Sequence, residues 1–129
     1  MADETRPARV PSADLQLLDI EVTHAGGGVR YLEGAKYGLS TSAYHSQVPI
    51  GAGPPAHRHP YAEYFVLHDG EGRFDIDGEV FDAVGGDVVI VPPGAWHSFV
   101  STGDVALRQT AVHEAPQHEM ERRTEATGS

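Results

Sequence analysis

From residue 13 to residue 116 the chain runs as short apolar and β-branched stretches broken by glycine or proline: "LQLLDIEV", "VRYLEGA", "YGLSTSAYHSQV", "AEYFVLHDG", "GRFDIDGEVFDA", "DVVIVP", "WHSFVST" and "VALRQTAVHE". Short runs of strand-forming residues at this regular spacing predict an antiparallel β-sandwich or barrel. Several breaks carry turn chemistry, among them Asp77-Gly78, Gly85-Gly86, Pro54-Pro55 and Pro92-Pro93. No segment offers a convincing helix of ten or more residues. The glycines of "HAGGGVRYLEG" match neither a dinucleotide fingerprint nor a phosphate loop, which disfavours an α/β nucleotide-binding fold. The first dozen residues and the stretch 117–129 are polar and aperiodic, so they are expected as flexible tails around one barrel over 13–116.

A length of 129 residues suits one domain with one core. There is no apolar run of membrane-spanning length and no secretory pattern at the start, which leads to the expectation of a soluble, cytoplasmic protein. Nineteen acidic against nine basic residues give a net charge of -10, which argues against nucleic acid as a partner. Cysteine is absent, so histidine and carboxylate are the strong metal ligands available.

Eight histidines are present, and their spacing carries the chemistry. In "GAGPPAHRHPYAEYFVLHDG", His57, His59 and Glu63 occupy odd-numbered positions and can point to one side of an extended strand, a first indication of a metal site. A fourth ligand from another strand is available in His97, within "GDVVIVPPGAWHSFVS". Phe65 and Leu67 share parity with Glu63, and Phe99 with His97, so these should face the interior as pocket or core. Trp96 has the opposite parity, which suits packing or an oligomer interface, and Arg58 should point away from the ligands into a salt link. In "STSAYHSQV", His45 and Gln47 alternate with Tyr44 and Ser46, and one pair should face inward; His45 is a candidate general base and Gln47 a candidate pocket residue. Gln109 and His113 share a face of the last run and are candidates to reach the same cavity. His24, His68 and His118 lie in turn-like or tail segments and are expected to be solvated, as is the acidic hairpin face Asp75, Asp77, Glu79 and Asp82.

Taken together, the two stretches read Gly51-x5-His57-x-His59-x3-Glu63-x6-Gly70 and Gly86-x5-Pro92-x-Gly94-x2-His97, separated by 15 residues. This pattern resembles the two motifs of the cupin superfamily, in its small single-domain form. The resemblance implies a jelly-roll barrel (double-stranded β-helix) holding one divalent transition metal, Fe, Mn, Ni, Co, Cu or Zn, through His57, His59, Glu63 and His97. It implies an enzyme acting on a small oxygenated metabolite, with dioxygenase-type oxidation slightly favoured and Glu63 as ligand or proton shuttle. A redox-neutral isomerase, cyclase or lyase, or a non-catalytic binder, is the alternative. It also implies a homodimer with "LQLLDIEV" at or near the interface. The family pattern places asparagine four residues after the last histidine; here that position is Ser101, which puts the local loop geometry in question.

Overall fold

A computed structural model describes residues 28–123. The expected N-terminal tail, His24, the "LQLLDIEV" stretch and residues 124–129 lie outside the described residues. The strands follow in chain order as β1 (Val29–Leu32), β2 (Ser42–Val48), β3 (His57–Arg58), β4 (Glu63–Asp69), β5 (Glu71–Ile76), β6 (Glu79–Val84), β7 (Val88–Val91), β8 (His97–Thr102), β9 (Leu107–His113) and β10 (Glu121–Arg122). One 3-10 turn, Gly34–Tyr37, is the only helical element described, and no described helix is long and apolar enough to cross a membrane.

All strand pairs are antiparallel and form two five-stranded sheets, ordered β1-β2-β9-β4-β7 and β10-β3-β8-β5-β6. This is the jelly-roll barrel that the apolar rhythm and the two motifs predicted. Strand alternation sends Phe65 and Leu67 of β4, Phe74 of β5, Val89 and Val91 of β7 and Leu107 of β9 between the sheets, where all are buried. The rings of Phe65, Phe74 and Phe99 meet edge-on or tilted at centroid distances of 5.3–5.5 Å. Burying each such side chain stabilises the fold by roughly 1.5–3 kcal/mol. The same inward rows end in polar residues. On β4 the row Leu67, Phe65 leads to Glu63, and on β9 the row Leu107, Gln109, Ala111 leads to His113. Apolar packing at one end of the barrel thus positions polar groups at the other.

Turn chemistry sets the hairpins. Asp77 and Gly78 have φ of 50° and 89°, the consecutive left-handed pair that a tight two-residue hairpin requires. The acids expected to be solvated there are tied into local structure: Asp75 accepts the Gly78 N–H, and Asp77 accepts the Trp96 N–H, each at 2.9 Å. Ser101 lies within β8, and its hydroxyl accepts the Leu107 N–H across the turn to β9 at 3.2 Å.

The C-terminal boundary differs from the sequence expectation. Residues 117–123 fold back onto the barrel, where β10 pairs with β3 through Glu121 opposite Arg58 and Arg122 opposite His57. Arg58 forms a 2.9 Å salt bridge to Glu121, and Arg58 and Arg123 lie 4.4 and 5.5 Å from the Trp96 ring. A two-residue strand held by cation–π contacts and one ion pair has no hydrophobic period to announce it.

Candidate metal centre

The presumed ligands come from both sheets. His57 on β3 lies directly opposite His97 on β8 in one sheet. Strand β3 ends at Arg58, the chain turns through Pro60 to Ala62, and Glu63 opens β4 in the other sheet, opposite His113 on β9. The expectation of one extended strand carrying His57, His59 and Glu63 is therefore corrected: the proline after His59 ends the strand, and the residues converge by crossing the barrel. Ligand atoms of His57, His59, Glu63 and His97 all lie within 4.8 Å of one another.

Hydrogen bonds assign the imidazole tautomers. Nδ1 of His57, His59 and His97 meets the carbonyls of Pro55, Glu119 and Ala95 at 2.8, 2.6 and 2.9 Å. A carbonyl only accepts, so each Nδ1 carries the proton and each Nε2 turns its lone pair into the cluster. Glu63 Oε1 is 3.0 Å from Nε2 of both His59 and His97, and Oε2 is 3.1 Å from His113 Nε2. Lone pairs converging on a carboxylate repel unless a proton or a cation lies among them. His59 Nε2 in particular is buried and has no hydrogen-bond partner among the described residues. Three imidazole nitrogens and one carboxylate oxygen fit a divalent transition ion.

The electrostatics agree. Burial, with help from the neighbouring His97 and His59, lowers His57 to about 4, which keeps it neutral. Burial alone would raise Glu63, but contacts to His113, His59 and His97 together outweigh it and hold the carboxyl well below the usual range. Burial also works against protonation of His59, yet the Glu63 carboxylate and the Glu119 carbonyl leave it raised.

A second wall faces these ligands. Tyr61 donates its hydroxyl proton to the Glu119 carbonyl at 3.0 Å, accepts the Glu119 N–H at 3.1 Å, and lies 2.7 Å from His113 Nδ1. The His118 ring sits 5.3 Å from His113 and 5.5 Å from His59, with its backbone N–H bonded to the Tyr31 hydroxyl at 2.9 Å. His59, His113 and His118 also offer nitrogens within 4.8 Å of one another. Burial and the adjacent rings lower His118 to about 4. Burial, then Tyr31 and Tyr61, raise Tyr44 to about 12. The expectation of a solvated His118 is corrected, because the chain after Pro116 carries it over the barrel end. Tyr61 shares the odd parity of the ligands, a signal that could have singled it out; His118 had none.

His45 is exposed on the outer face, bonded to Thr110 at 3.0 Å beside His68. Its candidate role as a general base is corrected, since Tyr44, Ser46 and Val48 take the inward parity of β2. Gln47 is likewise exposed, and it is among the residues that line the cavity. A largely apolar cavity of about 470 Å³ adjoins Glu63 and His57, and Phe65, Phe99, Gln109 and His113 all line it.

A family model described as the Cupin domain matches residues 44–113. An uncharacterized protein of Methanocaldococcus jannaschii is 32% identical over 73 residues, which is 55% of this chain and 58% of that protein. Among solved structures, the oxalate decarboxylase formate complex of Lactobacillus farciminis superposes with a TM-score of 0.72 at 20% identity, covering 80% of this chain and 33% of that one. A cupin-like protein of Thermotoga maritima gives 0.69 at 20% identity, covering 88% and 94%. The chain spans about a third of the decarboxylase and under two thirds of the methanogen protein, and likeness at such identities reports the fold. The family match takes in His57 through His97 and 70 of the 129 residues (44 to 113), so the chain belongs to the cupin domain family.

Proposed function

We propose that this protein is a mononuclear metal-dependent enzyme acting on a small oxygenated metabolite, with His57, His59, Glu63 and His97 holding one divalent ion. The observation that carries the reading is the convergence of three Nε2 lone pairs on Glu63 beside an apolar cavity. Such an ion would polarise and acidify a substrate hydroxyl, enol or carboxylate. Around it, Phe65 and Phe99 exclude water, while Glu63 Oε2 and His113 Nε2, 3.1 Å apart, can hold or pass a proton. Tyr61 fixes the His113 ring for that role through Nδ1.

This proton-handling wall favours a redox-neutral lyase, isomerase or cyclase. Bacillus subtilis oxalate decarboxylase, a neighbour in fold, has Mn(II) centres, which is in keeping with a divalent ion on this scaffold. Dioxygenase-type oxidation is the second reading: a divalent ion with three neutral imidazoles and one carboxylate keeps a net charge of +1 (+2 − 1), suited to binding an anionic substrate. Metal analysis of the purified protein, followed by incubation with enol, catechol and polyketide-like compounds with and without dioxygen, tests both. One metal equivalent and turnover lost on chelation are expected. Equal rates without dioxygen select the redox-neutral reading, and a metal-loaded protein without turnover would point to a non-catalytic binder.

A homodimer belongs to the same proposal. Among the described residues, strands β6 and β7 are sheet edges carrying exposed Val80, Val84, Val88 and Ile90, the last 69% exposed, and apolar edges of this kind invite a partner. A light-scattering mass of one chain at tens of micromolar would reject it.

A further inference from the structure

Gln109 occupies an inward position of β9 between fully buried Leu107 and Ala111, opposite Leu67 on β4 and Ser46 on β2. It is 1% exposed, and its Oε1 is buried with no hydrogen-bond partner among the described residues. Buried amides in native cores are paired almost without exception, because desolvating an unpaired carbonyl is costly. The side chain lines the cavity that adjoins Glu63 and His57. Gln109 is four positions from His113 on β9, and Leu67 four from Glu63 on β4, so the amide row lies roughly 13 Å along the sheet from the metal row. The pair Phe65 and Ala111 fills the level between them with apolar surface.

We propose that Gln109 is the specificity anchor of the cavity. Its amide takes a hydroxyl or N–H donor at the far end of a ligand whose acidic oxygen lies among His57, Glu63 and His97, with a flat apolar body against Phe65, Phe99 and Ala111. The ligand class is an apolar-bodied acid or enol carrying a distal hydroxyl. The position of its acidic end rests on the metal reading above; the anchor itself rests on the unpaired amide.

The intact chain loaded with zinc is titrated with 6-hydroxy-2-naphthoate and with 2-naphthoate, alongside Gln109→Met. The hydroxy acid is expected to bind at least about tenfold more tightly, since a buried polar group rejects an analogue that cannot pair with it. Gln109→Met should bring its affinity down to that of 2-naphthoate while zinc content stays at that of the native chain. Equal affinities in the native protein, as expected if a water satisfies the amide, would overturn the proposal, as would a preference that survives in Gln109→Met or binding of neither acid at full zinc content. Should the variant not fold, the through-bond-assigned Gln109 side-chain amide resonance of the native chain decides. A shift with the hydroxy acid and none with 2-naphthoate supports the anchor, and equal shifts refute it. If the native chain takes up no zinc, the metal reading fails separately, and 2-naphthol against naphthalene then tests the amide alone by the same resonance.

Discussion

Two halves of the candidate metal centre are built in different ways. His57 and His97 are oriented by carbonyls two residues back, Pro55 at 2.8 Å and Ala95 at 2.9 Å, each next to a diproline corner that stiffens the local chain. His59 is oriented by Glu119, 60 residues on, and His113 by Tyr61, 52 residues back. Each ring of the first half is oriented by the local turn before it, and the two rings meet when β3 pairs with β8. The second needs the chain after Pro116 to close over the barrel. A short motif can therefore specify a ligand set while leaving its alignment to distant segments.

The largest effect should come from removing ligands. His57→Ala, His59→Ala and His97→Ala should each weaken zinc binding by well over ~100-fold, since outer-partner losses alone cost about 10–100-fold; equilibrium dialysis measures this. Full metal content in all three variants would refute the assignment. Next in size, ending the chain after Pro116 removes the Glu119 carbonyl and His118 but leaves the diproline corners intact. A loss of about 10–100-fold in zinc affinity with an unchanged far-UV spectrum is expected. An unchanged affinity would erase the distinction between the halves.

Acid should act on both halves of the metal-free protein. His57 and His118 have folded values of about 4 against 6.5, so the unfolded chain takes up their protons first. Their stabilising contribution is present above pH 6.5 and is lost as pH falls towards 4. Glu63, held low, keeps its contribution down to about pH 4.5 and loses it at stronger acidity. His59 is raised, so its contribution has the opposite sign, present at low pH and lost as pH rises through its folded value. Melting temperatures of chelator-treated protein should therefore fall from pH 6.5 to 4.5, with a shallower slope in His118→Asn; a rising profile would contradict the assigned environments. The smallest effect is expected of His45→Ala, within about 0.5 kcal/mol by denaturant titration, because the ring is exposed.

The contrast also explains what was legible in the sequence. The barrel rhythm, the Asp77-Gly78 hairpin and the motif spacing are local, written by glycine, proline and strand-forming residues within a few positions of one another. Strand parity identified two alternating sets on β2 but could not say which faces inward; Tyr44 and Ser46 took the interior and His45 the surface. The turn at Pro60 was present in the sequence, but its consequence, Glu63 crossing to the other sheet, depends on barrel topology. His118 and β10 were illegible because their partners, Tyr31, Trp96 and the backbone of β3, are remote, and two residues of strand have no period.

The hydrogen bond from His59 to the Glu119 carbonyl has a consequence for exchange kinetics. Docking of residues 117–123 and occupancy of the ligand set share one bond, so each must favour the other by the same factor. The Arg123 amide, bonded to the Ala56 carbonyl at 3.0 Å, is a built-in reporter of that coupling. Its hydrogen-exchange protection should rise with metal loading by the same ratio by which cutting the segment away weakens the metal.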